Sequence, residues 1–320
     1  MREIDLSFWR QAFEAEGYIC EDELLITVTL ALKLGRPLLI EGAPGVGKTE
    51  IAKVLARVLE TDLIRLQCYE GLDESKALYE WNYQGQLLKI QMMRESHREP
   101  VNEAEIFSAQ YLLERPLLKA IRSERQVVLL IDEIDKTDQE FEAFLFEILS
   151  DFQVSIPELG TVKARHLPVV VLTSNQEREL SDGLRRRCVY LYIDYPSSEK
   201  EQEILRCKIP GAEKRLIWEI ATAVHYLRYE LDLEKPPSTS ETLDWGRVLA
   251  EWKTEKLEPQ TVRQTLGILL KNHQDMSTFQ QKIGASGLCA MLRSAWDGAD
   301  LAAKGDSLLA RALKKKSLQP

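Results

Sequence analysis

Apolar and polar residues alternate along the first two thirds of the chain in a way that predicts helices and strands in turn. Residues 1–35 show helical spacing, and the second of these helices ends at Gly35. The run 127–131 is continuously aliphatic, which is typical of a central parallel strand buried on both faces. The five predicted strands cover residues 37–41, 63–66, 127–131, 168–172 and 189–193. We therefore predict an α/β fold with a parallel sheet.

The strand pattern ends at Tyr195-Pro196-Ser197-Ser198, where the composition changes. Beyond this point the spacing predicts a smaller, all-helical domain. Its four helices are expected at residues 201–207, 212–229, 240–252 and 261–271. We predict an α/β core over residues 1–196, a helical lid domain over 197–275, and a C-terminal helical tail over 276–320 that ends in the basic run Lys314-Lys315-Lys316.

An insert of about residues 67–100 interrupts the α/β alternation. Three aromatic residues, Tyr79, Trp81 and Tyr83, stand within five positions and beside charged residues. This pattern fits a protruding element that contacts a partner or substrate, and it fits equally a local mini-core. After the insert, the pattern predicts a helix over 107–121 and a β-hairpin over 154–162.

Composition narrows the class of protein. The chain has 320 residues, which suggests two domains, and 44% of them are hydrophobic, as in ordinary soluble proteins. The net charge of −9 argues against a broad nucleic-acid-binding surface. No apolar run approaches the roughly 18 residues of a membrane span. The N-terminus lacks the form of a signal peptide, and the five cysteines contain no C-x-x-C pair. We expect a cytoplasmic protein with free thiols.

The strongest chemical signal is a phosphate-binding loop between the first strand and the following helix. Its eight residues match the G-x-x-x-x-G-K-[ST] pattern, and they are Gly42, Ala43, Pro44, Gly45, Val46, Gly47, Lys48 and Thr49. Glycines allow backbone N–H groups to approach a polyphosphate, and the helix directs its positive end at the same anion. Lys48 is expected to reach the phosphates, and the Thr49 hydroxyl to bind Mg²⁺. We also count Glu50, the next residue, among the nucleotide-binding residues.

Two acids follow the aliphatic strand 127–131. Asp132 and Glu133 come directly after it, and Asp135 two residues later. Acids at this position are costly unless a cation or a reaction uses them. Because the strand ends beside the phosphate loop, one carboxylate is expected to hold Mg²⁺ and its neighbour to polarise an attacking water.

Polar residues near the ends of other elements have two readings each. Asn175 follows the strand 168–172 and either orients water or caps a turn. Arg185, Arg186 and Arg187 form either a solvated helix end or a source of guanidinium for a neighbouring subunit's nucleotide. Tyr18 and Ile19 stand at a turn between helices, where an aromatic serves either the core or base stacking.

The order of these features resembles the AAA+ ATPases, and specifically the MoxR family of the helix-2-insert clade. The resemblance covers roughly residues 17–275. Four stretches are similar to the CoxD-like branch associated with carbon monoxide dehydrogenase: Tyr79–Tyr83, Phe141–Leu145, Ile156–Gly160 and Ser240–Trp245. It implies a three-layer αβα core, a helical lid, and a ring, commonly a hexamer, that binds ATP between subunits.

The resemblance also implies roles for particular residues. Lys48 and Thr49 would bind phosphate and Mg²⁺, Asp132 would hold Mg²⁺, and Glu133 would activate water. Asn175 matches the first sensor, and the arginine finger would be Arg187, which we favour, or Arg186. Arg247 is a weak match to a lid sensor, because Ser240-Glu241-Thr242 lacks the family's arginine.

Family members work with a von Willebrand A-domain protein and remodel or mature a metalloenzyme, which for the CoxD-like branch is a molybdenum hydroxylase. We expect such partners here. Two alternatives remain: a nucleic-acid motor, which the acidic charge disfavours, and a nucleotide-gated scaffold, which the intact acids and arginines disfavour.

Overall fold

A computed structural model describes residues 6–95, 103–157 and 159–298. The chain divides into two compact units between Asp194 and Tyr195. This division lies two residues before the predicted end of the α/β core. The last residues of the predicted insert, the turn residue Glu158 and the lysine run 314–316 lie outside the described residues.

The first unit contains nine of the described helices and nine strands. The helices are α1 (Leu6–Ala15), α2 (Asp22–Leu34), α3 (Lys48–Val58), α4 (Glu74–Ala77), α5 (Tyr83–Glu95), α6 (Glu103–Ile106), α7 (Pro116–Ile121), α8 (Gln139–Asp151) and α9 (Asp182–Arg187). The strands are β1 (Leu38–Gly42), β2 (Leu63–Gln67), β3 (Tyr79–Trp81), β4 (Leu112–Glu114), β5 (Val128–Asp132), β6 (Gln153–Ile156), β7 (Gly160–Lys163), β8 (Val169–Ser174) and β9 (Val189–Ile193).

Five of these strands form one parallel sheet in the order β2-β5-β8-β1-β9. Alternate residues of a strand enter different cores: in β1, Leu39 packs in one hydrophobic cluster, whereas Leu38 and Ile40 pack in the other. Both faces of the sheet are therefore covered, which explains why the buried strands are aliphatic throughout. All five predicted strands and the α/β class are confirmed, and the carboxyl ends of the strands share one edge.

The segment that follows the insert differs from the helix predicted over 107–121. Residues Leu112–Glu114, expected within a helix over 107–121, form a strand that pairs antiparallel with β3. Pro116 then starts a separate helix, because a proline fits the first helical position, where its lack of a backbone N–H costs no intrahelical hydrogen bond. The aromatic residues divide between the two readings: Trp81 is buried against Phe107 at 5.4 Å between ring centroids, whereas Tyr83 is 60% exposed.

The second unit is helical over its described residues. Its helices are α10 (Ser198–Lys208), α11 (Lys214–Tyr229), α12 (Thr239–Glu251), α13 (Pro259–Thr265) and α14 (His273–Lys282), followed by helical residues 284–298. The predicted helix 261–271 is shorter than expected, because α13 ends at Thr265 and a 3₁₀ turn follows it.

The predicted start of a separate tail at residue 276 is wrong. α14 crosses that position, and Phe279, Leu288 and Leu292 are buried in the same cluster as Trp245 of α12. Residues up to 298 therefore complete the core of the helical unit. Within the described parts of the chain, no helix has both the length and the apolar character needed to cross a bilayer.

Candidate nucleotide-binding site

The phosphate loop joins β1 to α3 as the glycine pattern predicts. Gly42 has φ 153°, and a Cβ atom there would lie 2.1 Å from the carbonyl oxygen of Ile193, so only glycine fits. Gly47 has φ 98° and precedes the first residue of α3. The N-terminal turn of α3 thus lies directly after the loop, in the arrangement that binds phosphate in other proteins.

Lys48 lies in this loop with its side chain almost completely buried. Its Nζ donates to the carbonyl oxygens of Gly42 and Ala43 at 2.6 and 2.8 Å, and to Oδ1 of Asn175 at 2.8 Å. Burial lowers the pKa of Lys48, and the neighbouring carboxylates, that of Asp135 first, oppose this shift. The structure thereby brings the predicted phosphate-binding lysine together with the predicted sensor residue at the end of β8.

Asp132 ends β5 as a buried carboxylate with four hydrogen bonds. Oδ1 accepts from the hydroxyls of Thr49 at 3.0 Å and Thr173 at 2.5 Å. Oδ2 accepts from Nε and Nη2 of Arg65 at 3.0 and 2.5 Å. These donors offset the cost of burying the charge. Thr49 and Asp132, both predicted to bind magnesium, are therefore in contact.

The oxygens of Thr49 and Asp132 fit Mg²⁺, which prefers oxygen ligands and retains several waters. In the described part of the chain no three His, Cys, Asp or Glu residues cluster as a metal cage. The ion's remaining ligands would be water and phosphate oxygens, as in other phosphate-loop proteins. When bound, the ion would neutralise negative charge on the phosphates.

Glu133 adopts a left-handed conformation, with φ 58°, immediately after Asp132. A non-glycine residue held there carries backbone strain, which is often found at functional sites. The backbone N–H donates to the Thr173 hydroxyl at 2.9 Å. The carboxylate is one-third exposed and accepts hydrogen bonds from Gln67 at 2.9 Å and Lys136 at 2.8 Å. It is therefore in contact with solvent beside the buried Asp132.

Asp135 holds the chain that follows β8. Its Oδ2 accepts the backbone N–H groups of Asn175 and Glu177, each at 3.0 Å. Its other oxygen is buried and has no hydrogen-bond partner among the described residues. The backbone of Asn175 is therefore held by an acid from the β5 side, while its side chain contacts Lys48.

The three consecutive arginines have different environments. Arg185 donates to Oε1 of Glu41 at 2.6 Å, a buried carboxylate that also accepts from Gln176 and from the Tyr190 hydroxyl. Arg187 lies over the ring of Phe146, 3.9 Å from its centroid, and donates to Ser150.

Arg186, in contrast, is exposed and has no hydrogen bond or ion pair within the described residues. Arg185 and Arg187 thus have partners within their own chain, and Arg186 has none there. Which of them acts on a neighbouring subunit stays a prediction.

The remaining predicted residues lie at different distances from this chemistry. The Tyr18 ring would be 3.7 Å from a Cβ at Gly47, so it borders the loop; it also packs against Phe13, and burial raises the pKa of its hydroxyl. Ile19 is half-buried beside it. The Glu50 side chain points along α3 and pairs with Lys53 and Arg57, each at 3.2 Å.

Arg247 belongs to the helical unit. There it pairs with Asp244 at 3.0 Å, and both side chains are exposed. Its role as a lid sensor stays a prediction.

Sequence reasoning missed four residues of the site. Arg65 and Gln67 lie on β2 and contact the two acids at the end of the adjoining strand β5. Thr173 bonds to both Asp132 and the Glu133 backbone, and Glu41 collects three donors directly before Gly42. The available signal was polar residues inside otherwise apolar strands, which mark positions where burial needs a partner.

Comparisons with known proteins agree with this geometry. Residues 37–188 match the model of the AAA domain, dynein-related subfamily. The gas vesicle ATPase GvpN of Haloferax mediterranei is 24% identical over 213 residues, which cover 63% of this chain and 59% of GvpN. The chain thus spans less than two thirds of the length of that curated relative.

Solved structures were found that are similar to this chain. A mutant of RuvB from Thermotoga maritima superposes with a TM-score of 0.51 at 19% identity, over 83% of this chain and 76% of that one. A second structure, the Thermotoga maritima RuvB Holliday junction branch migration motor, has a TM-score of 0.49 at 18% identity, over 82% of this chain and 74% of that one. The parallel sheet, the phosphate loop and the match over residues 37–188 lead to one conclusion: this chain has the AAA P-loop ATPase fold.

Proposed function

We propose that this chain hydrolyses ATP to ADP and phosphate with the help of Mg²⁺. One observation carries the proposal: at one edge of the sheet Lys48 donates a hydrogen bond to Asn175, the adjacent Thr49 donates one to Asp132, and Glu133 follows Asp132 directly. The AAA domain match supports ATP hydrolysis at the level of the family.

Each residue of this group has a task that its position supports. The loop N–H groups and the Lys48 ammonium bind the phosphates. Thr49 and Asp132 would hold Mg²⁺. Glu133 is partly exposed, so its carboxylate can accept a proton from the attacking water, and the Asn175 amide can orient that water. Tyr18 and Ile19 are proposed to contact the base.

We further propose that the chain works as a ring, commonly a hexamer, in which one subunit's arginine acts on its neighbour's nucleotide. An arginine in trans contributes about 10³–10⁵ in rate in related phosphoryl-transfer enzymes. Arg187 is the residue favoured by its position before Cys188. Arg186 is supported by its exposure and its lack of partners in the described chain, whereas Arg187 would have to leave Phe146 and Ser150.

Mixed rings test this proposal directly. Lys48→Ala subunits cannot bind nucleotide but retain all three arginines, whereas Arg186→Ala or Arg187→Ala subunits retain the pocket. Each variant alone should be inactive if it lacks an essential group. Mixing Lys48→Ala with the arginine-finger variant should restore turnover, because one kind of interface is then complete.

Two results would contradict the proposal. If the wild-type chain binds no Mg·ATP, the site is not a nucleotide site. If turnover per chain is unchanged when dilution makes the protein monomeric, no neighbour contributes to the reaction. Arg185→Ala serves as the comparison, since its guanidinium pairs with Glu41 of its own chain.

Finally, we propose a cellular role as a MoxR-type remodelling ATPase that acts in the cytoplasm with a von Willebrand A-domain protein on a client metalloenzyme, such as a molybdenum hydroxylase. The support is the resemblance of the sequence motifs to that family. A Glu133→Gln variant loaded with ATP should retain such a client, and mass spectrometry of the captured complex identifies it. Recovery of DNA in place of a protein client would favour the motor alternative.

A further inference from the structure

We propose that Arg65 is a positioning residue that sets the affinity of the site for Mg²⁺. Its guanidinium holds Asp132, and its positive charge opposes binding of a divalent cation in the absence of nucleotide. The inference rests on the proposed ATPase function, because it assigns a role to a residue beside the same metal-binding carboxylate.

The two oxygens of Asp132 have different partners. Both Nε and Nη2 of Arg65 donate to Oδ2, whereas Oδ1 accepts from the hydroxyls of Thr49 and Thr173. Arg65 therefore orients the carboxylate so that Oδ1 faces Thr49, the other predicted ligand. Nη2 of Arg65 also donates to the Gln67 side chain, which in turn donates to Glu133.

The exposure of the two partners is unequal. The Asp132 side chain is 3% exposed, so its charge requires a partner, whereas the Arg65 side chain is 50% exposed. A half-exposed guanidinium can move into water at low cost, because its hydration replaces much of the lost ion pair. Arg65 thus satisfies Asp132 and can still be displaced from it.

Two cations acting on one carboxylate oppose each other. The positive charge of Arg65 reduces the attraction of Asp132 for a free divalent cation. Triphosphate oxygens add negative charge and further ligands, so a cation that arrives with nucleotide overcomes this opposition. The expected consequence is a site that takes up Mg²⁺ with nucleotide and hardly at all alone.

The test is a magnesium titration of nucleotide binding. Arg65→Gln retains a hydrogen-bond donor for Asp132 and removes the charge. With a fluorescent ADP analogue, the Mg²⁺ concentration that half-saturates metal-dependent binding should fall by at least about fivefold in this variant. Mn²⁺ electron paramagnetic resonance should also detect binding of the free ion to the variant and much less to the wild type.

A matched control removes the same charge elsewhere in the unit. Arg125→Gln breaks an ion pair with Asp62 in which both side chains are about two-thirds exposed, so the magnesium titration should match the wild type. Arg65→Lys keeps the charge and should stay within about twofold of wild type. It also provides a second test if Arg65→Gln does not fold, since a large fall in its half-saturating Mg²⁺ would contradict a role for charge.

Melting temperature gives an independent readout. Without metal, Arg65→Gln should melt below the wild type, because Asp132 loses its counterion, and Mg·ADP should raise its melting temperature by more than that of the wild type. Equal magnesium titrations for folded Arg65→Gln and wild type would overturn the inference and leave the ATPase proposal intact. Failure of the wild type itself to bind Mg·ADP would instead overturn the proposed function.

Discussion

Each unit of this chain has a buried carboxylate paired with an arginine, and the two pairs differ in how far the arginine is exposed and in how it bonds to the carboxylate. In the helical unit, Glu201 and Arg228 are each 1% exposed and form two separate hydrogen bonds, at 2.7 and 2.9 Å. In the α/β unit, Asp132 is equally buried, but Arg65 is half exposed and places both donors on a single oxygen.

The other partners increase the contrast. Arg228 also donates to the carbonyl oxygen of Pro237 and the Thr242 hydroxyl, and its guanidinium lies 4.7 Å from the centroid of the Tyr195 ring. Burial raises the pKa of Glu201, and the charge of Arg228 opposes the shift. A fully enclosed pair of this kind holds a structure together, whereas a pair with one solvent-exposed partner can exchange that partner for a ligand.

The largest expected effect is a loss of ATP turnover when the partly exposed Glu133 is replaced. Glu133→Gln removes the proposed proton acceptor and keeps a similar shape, so ATP turnover should fall by about 10²–10⁴-fold. Nucleotide affinity should change little, because the Glu133 side chain bonds to Gln67 and Lys136 and makes no hydrogen bond to Lys48 or Thr49. Steady-state turnover and equilibrium nucleotide binding measure the two quantities. Retention of wild-type turnover would exclude Glu133 as the base.

The buried pair of Glu201 and Arg228 should contribute to the stability of the helical unit and not to ATP turnover. Arg228→Leu leaves Glu201 buried without its counterion and should destabilise the helical unit by about 3–5 kcal/mol. Hydrogen exchange of the α11 amides reports this unit separately from the other. Arg247→Leu is the control: its ion pair with Asp244 is exposed on both sides and should contribute about 1 kcal/mol or less. Equal effects of the two changes would refute the comparison.

Thr173→Val tests whether the Thr173 hydroxyl holds Asp132 and Glu133 in position. The change removes a hydrogen bond to Asp132 and leaves the Glu133 N–H without an acceptor, at a cost of about 1–3 kcal/mol in stability. Turnover should also fall, since both acids lose a fixed contact. Thr29→Val removes a buried hydroxyl bonded to Leu25 in α2, outside the site, and should leave turnover unchanged. Urea denaturation and turnover are the measurements.

The smallest expected effect is a difference in the rate at which cysteines of the two units react with iodoacetamide. Burial raises the pKa of Cys68 to about 12, with a further contribution from the Asp132 charge, and burial raises that of Cys188 to about 12. At about pH 8 only roughly one thiol in ten thousand is then ionised. Iodoacetamide should modify the exposed Cys207 of the helical unit first. Peptide mass spectrometry measures the order, and labelling of Cys68 at the same rate would contradict its burial.

Local patterns explain which parts of the fold were predictable. The five sheet strands are short aliphatic runs, and the hairpin β6–β7 has alternating residues in β6 followed by a turn with Gly160, so both were found correctly. The pairing of β3 with β4 was missed, since strands of three residues are too short to show a period. The helical tail was wrongly separated because its burial depends on contacts with α12.

The amino-acid sequence by itself determined the phosphate loop and the acids after β5. The spacing of the glycines, and the charged residues directly after an aliphatic strand, can be recognised without knowing which residues they contact. Only the tertiary structure decided how those groups are held: Arg65 meets Asp132 across 67 positions of the chain, and Arg185 meets Glu41 across 144. Such contacts depend on which strands and helices become neighbours in the folded unit. That choice is set by packing of the whole unit and leaves no periodicity near either residue.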